Sequence, residues 1–154
     1  MATTYSTALY ANKTPPNTGH GFNTSSVHLH AISGVISTWV AGDVVNIGYL
    51  PGNAVVVSAT LKAATQLDSN GAPTLTLSLG VAGTAGLFKS AITTVGRAAG
   101  VSADQTLAAS GALYKPAAKT AVIVTVGVGA ATPVAGTLEA DIEYYVEDTA
   151  GSAP

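Results

Sequence analysis

Two short runs in this chain place groups capable of chemistry at strand spacing. The first is His28-x-His30. Residues i and i+2 of a strand share a face, so both imidazoles can reach one metal ion. A specific site needs more ligands than two. Ala31–Ser37 holds no Asp or Glu, no His follows His30, and the third His, His20, sits in an irregular polar stretch. The expectation is therefore no metal site, with the pair on a polar sheet face or in a subunit contact. Such a contact would loosen near the ordinary His pKa of about 6.5. The second run is Glu139-Ala-Asp141-Ile-Glu143, three carboxylates on one strand face. Retaining glycoside hydrolysis uses two carboxyl groups about 5–5.5 Å apart, which alternate strand positions can supply. The plain alternative is the solvated outer face of a half-buried strand, which needs only polar residues there.

The surroundings favour the plain alternative. The motif falls in the last strand-like segment, with no long loops to wall a cleft, and the chain has a single Trp, Trp39. No flanking Asn/Asp loop completes a Ca²⁺ site around the carboxylates. Gly80-x-x-Gly83-x-x-Gly86 has phosphate-loop spacing but lacks the Gly-Lys-Ser/Thr ending and a following amphipathic helix. A Ser/His/Asp triad has no basis, because the three His crowd into residues 20–30 with no acid nearby. Catalytic, cofactor-binding and metal-ligating residues are all expected to be none, and so are cofactors.

The elements that would position these groups are strands. Val27, Leu29 and Ala31 alternate with the two His, and Val44-Val45, Ile47 and Tyr49 run up to the Pro51-Gly52 turn. Val55, Val57, Ala59 and Leu61 mark a third strand, and Asp68-Ser-Asn-Gly71 punctuates the chain again. Leu75, Leu77 and Leu79 alternate with Thr and Ser, and in the β-branched run 121–128 Val122, Val124, Val126 and Val128 face one way. In the final strand Leu138, Ala140, Ile142, Tyr144 and Val146 should point inward, and the acids outward. Leu87–Val95 could form a short helical turn. The pattern predicts an all-β chain: an antiparallel β-sandwich, a jelly roll of about eight strands with an extended N-terminal arm. An immunoglobulin-like sandwich is the alternative. Residues 1–24, with Pro15-Pro16, read as the arm, a tether onto a neighbouring subunit or a frayed terminus. Residues 25–148 read as a single domain and 149–154 as a flexible tail.

Charge is scarce. Six basic and eight acidic residues make 9% of the chain, against about 25% in ordinary soluble domains. Thr14–Gly42 has none at all, whereas Glu139–Asp148 carries five of the eight acids. A net charge of −2 offers no attraction for nucleic acid or an anionic membrane. The absence of Cys excludes disulfides and thiolate chemistry. The opening residues read as no signal peptide, and the uncharged stretch 69–88 is too broken by Gly and Pro for a spanning helix. Small neutral side chains lose little rotamer entropy on contact and need little desolvation. A surface of that kind suits packing against neighbours, with the terminal acids as a solvent-facing rim.

Three families bear on the reading. The His-x-His pair is similar to part of the cupin motif, but its downstream Glu and later His are missing here. Glu139-x-Asp141-x-Glu143 resembles the signature of jelly-roll β-glucanases. That would make Glu139 the nucleophile, Asp141 the helper and Glu143 the acid/base, but those enzymes are longer and line their cleft with Trp and Tyr. The opening Met1-Ala-Thr-Thr-Tyr-Ser-Thr-Ala8, the Leu50-Pro51-Gly52 turn, the Thr-Leu-Thr-Leu-Ser-Leu-Gly80 strand, the Gly-rich loop and the closing acidic strand together resemble capsid decoration (cement) proteins of short-tailed phages and cyanophages. That resemblance implies a jelly-roll protein, often a trimer, on the outer capsid surface. It would clamp adjacent major capsid subunits and have no catalytic residues, no nucleic-acid partner and no membrane partner. A glycan-active or glycan-binding jelly roll, and the head domain of a phage fibre, are the alternatives.

Overall fold

The computed structural model describes residues 4–5, 8–9, 27–104 and 107–147, the first two pairs as backbone only. His20, Pro15-Pro16 and the tail from Thr149 lie outside the described residues. The strands are β1 (Thr4–Tyr5), β2 (Ala8–Leu9), β3 (Val27–Ile32), β4 (Val44–Leu50), β5 (Ala54–Ala63), β6 (Thr76–Val81), β7 (Thr84–Ile92), β8 (Ser102–Asp104), β9 (Thr120–Val128) and β10 (Leu138–Val146). No helix occurs among the described residues.

The strands form two sheets in the orders β1-β4-β9-β6-β7 and β2-β3-β10-β5-β8. Beyond the two-residue β1 and β2, each sheet is a set of four antiparallel strands. Their pairing is nested: β6 with β7, β5 with β8, β4 with β9, and β3 with β10. One long hairpin wrapped into two layers gives this order, and it defines a jelly roll. β1 runs parallel along β4 and β2 antiparallel along β3, so the N-terminal residues lie at an edge of each sheet.

Alternation supplies the core. Leu29, Ala31, Leu77, Leu79, Val122, Val124, Val126, Leu138, Ala140 and Ile142 are buried, as a period of two requires. Where alternation fails, a β-bulge is the cause. The β4–β9 register shifts between Asn46 and Gly48, which places Ile47 in the bulge. Beyond it Tyr49 is exposed and Leu50 is buried, reversing the expected faces. The β10–β5 register likewise skips Val57, which is exposed while Val56 and Ala54 are buried.

The helical turn expected within Leu87–Val95 is instead the second half of β7. Phe88 and Ile92 are buried four residues apart, a spacing that imitates a helix. Register shifts along β7, with Ala91 at φ 51°, insert the extra residues that create it. The glycines before it make a hairpin rather than a phosphate loop. Gly83 sits at φ 89° in a two-residue connection, and a Cβ on Gly80 would lie 2.3 Å from the Thr84 carbonyl oxygen.

Val146 separates position from burial. It pairs with buried Ala54, but at the end of the sheet it remains 50% exposed and does not enter the core. Val128 is exposed in the same way at the end of β9. Ile142→Ala should therefore cost about 2–5 kcal/mol, whereas Val146→Ala should cost under about 1 kcal/mol. Urea denaturation of the two variants checks this, and equal losses would contradict it.

Candidate functional site

The two runs singled out in the sequence meet on the outer face of the second sheet. β10 lies between β3 and β5, with Asp141 opposite His30 and Glu143 opposite His28. Contacts run diagonally across this register, as side chains two positions apart can. His28 Nδ1 donates to Asp141 Oδ1 at 2.8 Å and His30 Nε2 to Glu139 Oε1 at 2.9 Å. From the other flank Lys62 Nζ donates to Glu139 Oε1 at 3.3 Å, and Ser58 Oγ to Glu143 Oε2 at 3.3 Å. Of the acids expected to form a solvent-facing rim, Glu139, Asp141 and Glu143 line the middle of a sheet face, each with a donor beside it, and Glu147 accepts from Lys115 beyond β10.

That arrangement is a ladder of cross-strand hydrogen bonds onto carboxylates. Among the described residues no three His or acidic side chains are grouped to hold a metal ion. The imidazoles are spent on carboxylates rather than turned toward a common point. As glycosidase machinery the face also lacks its wall, because Trp39 is buried in the core and its Nε1 donates to the Val134 carbonyl at 2.8 Å. The acids occupy alternate positions of one strand, and the structure surrounds them with cross-strand donors.

The contacts bias the titration of two members. The hydrogen bond that His28 donates to Asp141 holds its imidazole above its ordinary value; slight desolvation opposes it, and the charges of Asp141 and Glu143 assist. The His30 hydrogen bond holds the Glu139 carboxyl below its usual range, against partial burial and with help from Lys62. The side chains are a third to a half exposed, so solvent screens the pairs and the energies are small. A His28 pKa raised on folding stabilises the fold fully below about pH 6.5, and that contribution fades as pH rises through the folded value. NMR titration should show His28 titrating above about 6.5, and Asp141→Asn returning it toward that value. No change in the Asp141→Asn variant would remove the ladder's electrostatic role.

A second polar cluster had no functional signal in the sequence beyond turn punctuation. Asp68 is fully buried. Its Oδ2 accepts from the backbone N–H groups of Thr74 (2.8 Å), Leu75 (3.1 Å) and Ala131 (3.1 Å). Its Oδ1 accepts from those of Thr132 (3.0 Å) and Asn70 (3.3 Å). Burial alone would push this carboxyl up, but the backbone donors together hold it well below the usual carboxylate range. Arg97 braces the same end of the sandwich, donating from Nε to the Leu75 carbonyl and from a terminal nitrogen to the Thr74 carbonyl. The Asp68 side chain is closed to solvent and joins two loops, so its role is structural.

Comparison with known proteins points in one direction. No protein-family profile matches the sequence, and no curated protein matches it. Two solved structures do. A chain of the cyanophage Pam1 capsid asymmetric unit superposes with a TM-score of 0.69 at 28% identity, covering 90% of this chain and 95% of its own. A chain of the capsid of Ralstonia phage GP4 superposes with a TM-score of 0.61 at 31% identity, covering 90% of this chain and 93% of its own. With the fold shared almost end to end and nearly a third of the residues identical, this chain belongs to a family of jelly-roll proteins of phage capsids.

Proposed function

We propose that the chain is a capsid decoration protein that sits on the outer surface of a phage shell and clamps adjacent major capsid subunits, as a homotrimer. The end-to-end likeness to chains of two phage capsids carries this reading. The surface supports it. Val35, Val101 and Leu113 are large apolar side chains left 69–77% exposed. Leu113 is moreover held at φ 59°, a left-handed conformation unfavourable for a bulky residue. Side chains like these, on a surface poor in charge, suit burial against protein neighbours. Many modest contacts per shell then add up through multivalency.

Quantitative gels of purified virions and light scattering of the purified chain test the reading. Hundreds of copies per particle, and a solution mass of three times 15.1 kDa, are expected. A handful of copies would assign the chain to the tail, as in a fibre head. The reading gives Glu139, Asp141 and Glu143 no catalytic role. Reducing-sugar release from β-glucans, lost in Glu139→Gln, would overturn it.

Residues 1–24 are part of the same proposal, as an arm that contacts a neighbouring subunit, with residues 25–148 as the folded domain and 149–154 as a tail. β1 and β2, within this segment, lie at the edges of both sheets, where a neighbouring chain can pair. Deleting residues 1–20 should leave a folded domain that binds empty capsids more weakly. Undiminished binding would rule out the arm.

A further inference from the structure

The bulge in β4 that turns Tyr49 outward also builds a pocket. Tyr49, Pro51, Gly52, Lys119 and Tyr144 line a shallow hollow of about 370 Å³, within the size range of small-ligand sites. Its lining shares no residue with the His–carboxylate ladder. Lys119 Nζ stands 4.6 Å from the centre of the Tyr49 ring. Lys62, Lys89 and Lys115 each face a carboxylate. Among the described residues Lys119 is the lysine with no carboxylate within 4 Å. Its ammonium is held over an aromatic face in a pocket that contains no acid.

The lining selects a ligand class. Two tyrosine rings and a proline offer flat apolar surface, and the phenol hydroxyls offer polar contacts at its edge. The Tyr49 hydroxyl already accepts from Asn46 Nδ2 at 3.4 Å, which helps to position the ring. One ammonium beside such rings matches a single negative charge on a compact body with an apolar face. A phosphate group would call for several converging donors, and an extended peptide for an open strand edge or a longer groove. A sugar ring carrying one carboxylate has the required charge, size and stacking face.

We propose that this pocket binds a carboxylate-bearing sugar of the uronic-acid class, its carboxylate on Lys119 and its ring against the tyrosines. The site is independent of the decoration role, although a protein displayed on a virion surface would present it to polysaccharides outside the particle. The probes are galacturonate and trigalacturonate, titrated into the full chain and followed by NMR, with glucose and acetate as controls. Saturable shifts at Tyr49, Lys119 and Tyr144 are expected for both uronates. Binding should weaken about tenfold or more in Lys119→Gln and in Tyr49→Ala, and little in Tyr49→Phe. Unchanged melting temperatures in these surface variants would separate lost binding from lost fold. Equal affinity for glucose would overturn the role of Lys119, and equal affinity for acetate would overturn the sugar. No saturable shift, or tighter binding of a glutamate-rich peptide, would overturn the proposal while leaving the decoration reading standing.

Discussion

Asp68→Ala should remove about 3–5 kcal/mol of unfolding free energy, because several backbone donors lose one shared charged acceptor at once. Five backbone N–H groups from two loops converge on this buried carboxylate, and alanine takes away the acceptor they share. Folded domains hold only about 5–15 kcal/mol in total, so one side chain governs much of the margin. Asp68→Asn keeps the volume and one acceptor oxygen but brings an NH₂ among donors, and should lose about 2–3 kcal/mol. The pH dependence has a definite sign. A carboxyl whose folded pKa lies below its unfolded value of about 3.9 contributes fully above that value, and the contribution disappears as pH falls toward the folded pKa. Stability of the wild-type chain should therefore fall steeply below about pH 4, and the fall should be shallower in Asp68→Asn. Urea unfolding between about pH 2 and 6 measures both. Parallel pH profiles would show that the carboxylate is not the pin described here.

The cluster also shows where sequence reading stops. Asp68-Ser-Asn-Gly71 announces a turn, and the Asn70 N–H bonding back to Asp68 is local chemistry of that kind. The Ala131 and Thr132 donors lie more than sixty residues away, and nothing in the turn signals them. The two polar runs behaved similarly. Each was visible at its own strand spacing, but the His28–Asp141 and His30–Glu139 contacts join residues 113 and 109 positions apart. Their meeting depends on the register of β3 against β10, which alternation does not encode. Alternation did reveal the jelly roll's layers, because burying one face of a strand needs a period of two whatever its partner. It failed at Tyr49, Val57 and Phe88–Ile92 for one reason: a bulge adds a residue and shifts the phase. The bulge takes Tyr49 out of step with buried Val45 and Ile47 and onto the surface, so the pocket it lines was illegible from the sequence.

Trp39 carries the other large effect, and it separates a structural protein from a glycan-cleft protein. Trp39→Ala should cost about 3–5 kcal/mol. The side chain is 2% exposed, one of the largest fully enclosed groups in the molecule. Its indole N–H satisfies the Val134 carbonyl, and its own carbonyl accepts from the Ala130 N–H. Val134 N–H in turn bonds the Leu67 carbonyl, next to Asp68. The indole thus fastens the loop before β10 to the same end of the sandwich as the carboxylate pin. Trp39→Phe keeps most of the apolar contact and leaves one buried carbonyl without its donor, a cost of about 1–3 kcal/mol. Denaturant unfolding should rank wild type, Trp39→Phe and Trp39→Ala in descending stability. A platform for sugar stacking would behave oppositely, since truncating a solvent-facing tryptophan abolishes binding and leaves stability almost unchanged. Full stability in Trp39→Ala would remove this residue from the core and reopen the carboxylate face as a cleft.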